Sequence, residues 1–424
     1  MPSFDAIART FESATRTISL AGRTVLPVDT NPVPAEWEHI TKIDPEEAKK
    51  LPLLFPLYLQ HTGALEVGGS KDVTGQNTEE TLELVSGRPR PAIQEPSGVR
   101  QVTEQTREMA DYFAVPQVLN GDTEAIVGTL GSGIEYLREE LGPEYLDDKL
   151  PIPLGEGLER RVVSLFSAWT LQEAVFEAYI IMNLDSAAAR EASVTEDDLL
   201  SPRAAKQRAM VAETVFESEI VYLEYSGTFG GEEAVEILDD VSDALSWSRL
   251  WYGGGLDSRE NVEAVLEAGA DAVVVGNVFH EIADEEADLC ADAVEALSAD
   301  ATHGDIESWL SDECDVAETS AAEYLSTIPS LSNPTARARE YLVSTIEAAL
   351  ALDALRSELD GEVTSEAELA SALDRRDELP GGIELSNVLG DDEQSFPRDL
   401  VAGLLAEDLD LDAEALPVEH ISVA

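Results

Sequence analysis

The sequence predicts a (β/α)8 TIM-like barrel with an N-terminal extension and a mostly helical C-terminal accessory region. Three observations point there. Between residues 37 and 300, a short apolar run, a loop and a longer periodic segment recur eight times. Several of the short runs, AVVVG at Ala272–Gly276 most clearly, are almost continuously apolar, as parallel strands covered on both faces are. Glycine-rich loops follow the seventh and eighth runs, where barrels of this kind often bind phosphate. Eight strand-then-helix units favour a closed barrel over an open, doubly wound sheet.

Residues 1–36 read as an extension, with an amphipathic helix over Phe4–Leu20 and a proline-containing linker from Pro27 to Pro34. The predicted strands are His39–Asp44, Ala64–Gly68, Pro91–Glu95, Tyr112–Val118, Ala178–Met182, Ile220–Tyr225, Leu250–Tyr252 and Ala272–Gly276. Helical periodicity falls between them, as in Asn77–Leu84, Gly231–Leu245 and Ser258–Ala268, the last with Ser258 as N-cap. After the first strand, Leu51–Gln60 carries Pro52 and Pro56, which a regular barrel helix would not tolerate well. Leu130–Glu156, rich in glycine, proline and acids, reads as an insertion. Residues 305–424 form a helical accessory domain in which Ala336–Leu355 is the clearest helix. Acid-rich linkers lie near Leu359–Gly361 and Leu389–Glu393, and no chemistry-bearing motif appears in this domain. With the barrel pattern complete before it, it is expected to be separable.

Charge is the unusual quantity: 86 acidic against 27 basic residues give a formal net charge of −59. Lysine is scarce, and aromatic residues make up only 6%. Such a chain repels itself in dilute buffer, whereas at molar salt the Debye length of about 3 Å screens most of that repulsion. The composition suits a salt-loaded cytoplasm. Disorder is the alternative for so charged a chain, but the acids are interspersed with regular apolar segments. With no basic patch to displace counterions, nucleic acid is excluded as a partner. Cys290 and Cys314 are too few for a disulfide framework, and the five histidines show no metal-ligand spacing. Neither a signal peptide nor a transmembrane run is evident, so a cytoplasmic location is expected.

The motifs cluster at predicted strand ends. YGGGLDS follows the seventh strand with Gly253, Gly254 and Gly255, and VVVGNVF closes the eighth with Gly276 and Asn277. Glycines let a backbone approach phosphate, and the next helix offers unpaired N–H groups. Such loops also serve as plain turns. At the end of the first strand, Lys42 and Asp44 point to one side, suited to a phosphate and a Mg2+ ion or to a structural ion pair. Ser70, beside two glycines in VGGSKDVT, fits a metal or phosphate contact, or an N-cap. VYLEYSG places Tyr222, Glu224 and Tyr225 ahead of Ser226 and Gly227. A buried glutamate there costs several kcal/mol unless paired, so Glu224 either works, has a lysine partner or sits on a wet rim.

WEHITKIDP, VGGS followed by DVT, VPQVLN, YLEYSG, YGGG and VVVGN, in this order, resemble the motifs of geranylgeranylglyceryl phosphate synthases and their bacterial heptaprenylglyceryl phosphate synthase relatives. The likeness runs from about Trp37 to Asp300, and the composition fits a halophilic archaeal member. It implies a Mg2+-dependent prenyltransferase of ether-lipid biosynthesis, joining the C3 hydroxyl of sn-glycerol 1-phosphate to geranylgeranyl or longer prenyl diphosphate. By the same resemblance, Asp44 and Ser70 bind Mg2+. Lys42, the run Tyr222, Leu223, Glu224, Tyr225, Ser226 and Gly227, and Gly254, Gly276 and Asn277 hold the glycerol phosphate. Glu224 is the expected base, Glu95 matches an acid of the family's third strand, and peripheral contact with the inner face of the membrane and a homo-oligomer are expected. The alternatives are a non-catalytic paralogue that binds glycerol phosphate or prenyl lipid, and another phosphate-binding barrel enzyme. The insertion and the C-terminal domain have no counterpart in the resemblance.

Overall fold

A computed structural model describes residues 29–69, 71–122, 128–149, 155–172, 174–413 and 415–423. Eight parallel strands close in sequence order, with the eighth pairing back to the first. In order they are β1 (His39–Ile43), β2 (Ala64–Val67), β3 (Ala92–Gln94), β4 (Tyr112–Val118), β5 (Val175–Ile181), β6 (Ile220–Glu224), β7 (Arg249–Gly253) and β8 (Ala272–Val275). All eight expected strands are present. The fifth begins three residues earlier than its apolar run suggested, because Glu177 within it faces the interior and breaks the apolar signal. The expected helix in the N-terminal extension lies outside the described residues.

Strand alternation sorts the side chains into two cores. The lower barrel interior holds Ile40, Ala64, Ile93, Ala114, Val175, Ile220, Trp251, Ala272 and Val274. The other face of the strands, with Ile43, Leu65, Val67, Ala178, Leu223 and Val273, packs on the outer helices. This two-sided burial is why the strands lack polar alternation.

The helix after β1 is short. That helix, α1 (Phe55–Leu59), has Pro56 in its first turn, where a missing N–H costs nothing, and all five residues are buried. Around the barrel follow α2 (Gly75–Leu84), capped by Thr74, and α3 (Glu104–Met109), capped by Thr103. The described part of the insertion carries α4 (Thr129–Tyr136) and α5 (Gly142–Lys149), ahead of α6 (Glu156–Gln172). Next come α7 (Ala187–Glu191), α8 (Pro202–Val211), α9 (Gly231–Ser242), α10 (Arg259–Glu267) and α11 (Asn277–Ala296). Ser258 occupies the N-cap position of α10 as expected, but its side chain makes no capping hydrogen bond.

The chain beyond residue 300 adds α12 (His303–Glu313), α13 (Ser320–Ser326), α14 (Pro334–Leu359), α15 (Glu366–Leu373), α16 (Gly382–Ser386) and α17 (Phe396–Asp408). These helices cover what α1 leaves open. On α13, Tyr324 is fully buried, its hydroxyl 2.8 Å from Thr41 Oγ1 of β1. Thr327 Oγ1 lies 3.0 Å from His39 Nε2, also on β1. Burial holds His39 neutral, its pKa lowered to about 3.

Candidate functional site

A cavity of about 660 Å³ opens at the carboxyl ends of the strands, within the size range of small-molecule sites. Lys42, Asp44, Tyr222, Glu224, Ser226, Gly227, Gly254, Gly276 and Asn277 all line it. The structure thus brings together expected residues from β1, β6 and the loops after β6, β7 and β8. Leu223 points the other way, into the outer core, and Tyr225 is buried with its hydroxyl 3.3 Å from Glu233 Oε2. These two shape the β6 turn from outside the cavity. Ser70 lies outside the described residues.

Two glycines of the β7 loop are required by close approach. A Cβ on Gly253 would fall 1.9 Å from the Tyr222 hydroxyl. One on Gly254, whose φ is +155°, would meet the Tyr225 backbone at 2.6 Å. After β8, Gly276 leads into the twenty-residue helix α11, whose N-terminus borders the cavity at Asn277. An N-terminus of this length offers unpaired N–H groups and a partial positive charge to an anion.

The floor is ionic. Lys42 Nζ lies 2.6 Å from Glu66 Oε1 of β2 and 2.5 Å from Glu95 Oε2 just past β3. Tyr179 of β5 donates its hydroxyl to the other oxygen of Glu95 at 2.5 Å. Burial works against the ammonium, but Glu66 and Glu95 outweigh it and hold the Lys42 pKa well above the ordinary range. Burial pushes Glu66 up to about 7 despite the lysine. Deeper in the strand, Glu177 is fully buried with no hydrogen-bond partner among the described residues, and desolvation, with Glu66 and Glu95 adding to it, drives its pKa far upward.

Glu224 is 3% exposed, and its Oε1 accepts the Ser226 N–H at 3.0 Å. Desolvation raises its pKa, while Ser226 and Lys42 pull against that rise. Asp44, pushed up to about 6 mainly by burial, sits beside Glu46 on the cavity wall. Glu46 Oε2 is buried without a hydrogen-bond partner among the described residues. An orphaned carboxylate oxygen next to a second carboxylate forms a hard, oxygen-rich donor set that fits Mg2+. Lys42 is the one lysine or arginine lining the cavity among the described residues, so an anionic ligand there needs further positive charge. A second group with metal-ligand chemistry, Glu80, Glu419 and His420, lies outside the cavity lining, its ligand atoms within 4.8 Å of one another.

Sequence reasoning missed Glu66, Tyr179 and Glu177. The available signal was a glutamate inside an otherwise apolar strand (ALEV, VFEAYII), the same signal that singled out Glu224.

Fold and cavity together define a TIM-like barrel with a polar cavity at the carboxyl ends of its strands. The chain belongs to the PcrB family, whose pattern it matches over residues 34–295. It is 31% identical over 272 residues to geranylgeranylglyceryl phosphate synthase of Haloquadratum walsbyi, an alignment covering 64% of this chain and 98% of that protein. It is 30% identical over 250 residues to heptaprenylglyceryl phosphate synthase of Listeria innocua, covering 58% and 92% respectively. Among solved structures, (S)-3-O-geranylgeranylglyceryl phosphate synthase of Thermoplasma acidophilum aligns with a TM-score of 0.41 at 20% identity, covering 57% of this chain and 86% of that one. Archaeal and bacterial relatives match alike. No helix among the described residues is long and apolar enough to cross a membrane.

Proposed function

We propose that the chain is a prenyltransferase that forms the ether bond between the C3 hydroxyl of sn-glycerol 1-phosphate and geranylgeranyl or a longer prenyl diphosphate, releasing diphosphate. The observation that carries this reading is the convergence of Lys42, Tyr222 and Glu224 with the two glycine loops on one cavity. The names of the relatives, archaeal and bacterial, support it.

In this reading the phosphate docks on the backbone of Gly254 and Gly276–Asn277 at the start of α11. The glycerol hydroxyls lie over Lys42 and Tyr222, with the reacting hydroxyl at Glu224. Glu224 accepts its proton as the C–O bond forms, and burial makes that carboxylate a better base than one in water. Asp44, beside Glu46, and by the family resemblance Ser70 would hold a Mg2+ ion, which would supply positive charge for a departing diphosphate. A cytoplasmic location, with peripheral contact at the inner leaflet where a prenyl substrate would partition, and a homo-oligomer belong to the same reading. So do the composition's halophilic archaeal origin and the division into an extension (1–36), a barrel (37–300) and a helical accessory domain (305–424). The test is transfer of a labelled geranylgeranyl group to sn-glycerol 1-phosphate in molar KCl with and without Mg2+. Absence of the ether product under all these conditions overturns the reading.

A further inference from the structure

The last residues of the chain reach the loop that carries Asp44. The backbone oxygen of His420 accepts the N–H groups of Lys50 and Leu51 at 2.9 and 3.3 Å. The Ser422 N–H returns to Leu51 O at 2.9 Å, and Ile421 pairs with Leu51 as an isolated parallel bridge. Lys49 Nζ donates to Ile421 O at 3.0 Å. Below, Ser422 Oγ donates to Glu286 Oε1 of α11 at 2.6 Å, the same oxygen that accepts Leu53 N–H. Residues 418–423 therefore form a strap stitched to residues 49–53.

From those residues one side chain leads to Asp44. His280 of α11, 7% exposed, accepts the Asp44 N–H on Nε2 at 3.0 Å. A backbone N–H only donates, so a neutral ring carries its proton on Nδ1, which lies 3.2 Å from Lys50 O. The ring is thus fixed at both nitrogens, and the carbonyl that orients it belongs to a residue whose own N–H is held by the strap. We propose that the strap Val418–Val423 is a positioning element for Asp44, acting through Lys50 and His280. The chain's C-terminal region would then serve the site and not only cover β1. Its consequence for Mg2+ rests on the assignment of Asp44 as a ligand made above; the mechanical coupling does not.

The test uses the full-length chain in molar KCl. Ser422→Pro removes both the N–H to Leu51 and the hydroxyl to Glu286. Amide exchange at Asp44, Lys50 and Leu51 is then expected to quicken about tenfold, as local opening spreads along the relay. Calorimetry on the ligand-free protein should show Mg2+ affinity falling by about tenfold, the usual cost of losing a group that orients a metal ligand. Faster exchange at Lys50 and Leu51 with Asp44 still protected overturns the proposal. If the parent protein binds no Mg2+, the metal assignment fails, and exchange at Asp44 alone decides the coupling. Should Ser422→Pro not fold, Lys49→Met removes the bond to Ile421 O and leaves the Ser422 bonds in place. Exchange at Asp44 must still rise, and no change there overturns the proposal.

Discussion

Lys42 Nζ and Glu95 Oε2, 53 residues apart in sequence, meet at 2.5 Å on the cavity floor. Glu95 also receives the Tyr179 hydroxyl, so a β5 side chain braces the carboxylate that holds the β1 lysine. Glu95→Gln keeps the shape and an acceptor for Tyr179 but removes the charge facing Lys42. The ammonium then leans to Glu66 and moves off the position that the proposed reading gives it under the glycerol phosphate. A rise in KM for glycerol phosphate or a fall in kcat, together about tenfold or more, is expected from steady-state kinetics. Parental kinetics would make this pair purely structural.

Glu224→Gln and Asp44→Asn separate the proposed base from the proposed metal ligand. Loss of a general base costs about 10²- to 10⁴-fold in rate, so single-turnover transfer by Glu224→Gln should fall in that range while phosphate affinity changes little. Because the parent carboxyl pKa is raised, its activity should climb with pH through a value above the ordinary 4.5. The variant should lack that limb. Asp44→Asn should instead shift the Mg2+ titration to higher concentrations.

Glu286 tests the interior beneath the strap. Tyr58, Cys290, Thr345 and Ser422 surround its carboxyl, and burial pushes it up to about 7 against help from Ser422, Leu53 and Thr345. The unfolded chain releases this proton near 4.5. Folding therefore disfavours the ionised form, and stability falls as pH rises from about 4.5 to about 7, with the full penalty present above. That penalty is on the order of 3 kcal/mol. Glu286→Gln should flatten this dependence and raise the melting temperature at pH 8 but not at pH 4, as followed by circular dichroism.

A chain ending at Asp300 probes how far the C-terminal region stands apart. It would expose Tyr58, Thr41 and His39, which Tyr324 and Thr327 now cover. We expect loss of a cooperative thermal transition, whereas Tyr324→Phe in the full chain should cost only about 1 kcal/mol. A truncated chain melting like the parent would establish a separable domain, as its sequence pattern suggests.

Both stability and turnover should require salt near the molar range, because a net charge of −59 is screened only at short Debye lengths. Circular dichroism and transfer assays from dilute buffer to several molar KCl would show it. A folded, active protein at the low end would contradict the expectation.

The amino-acid sequence alone determined the barrel, because its evidence is local. Apolar runs such as AVVV, proline at Pro56 and paired glycines at Gly253–Gly254 each act within a few residues of themselves. Alternation likewise told that Lys42 and Asp44 share a side of their strand. Only the tertiary structure decided which carboxylates face Lys42, that Glu177 is buried with its pKa driven upward, and that residues 320–327 cover β1. A glutamate in a strand reads the same from sequence whether it faces water or a closed barrel, since the environment that shifts its pKa comes from other strands. The contact of Thr41 with Tyr324 spans 283 residues, and that of Lys49 with Ile421 spans 372. Contacts this distant leave no periodicity behind, because they arise only when barrel closure brings β1 and the end of the chain to the same side.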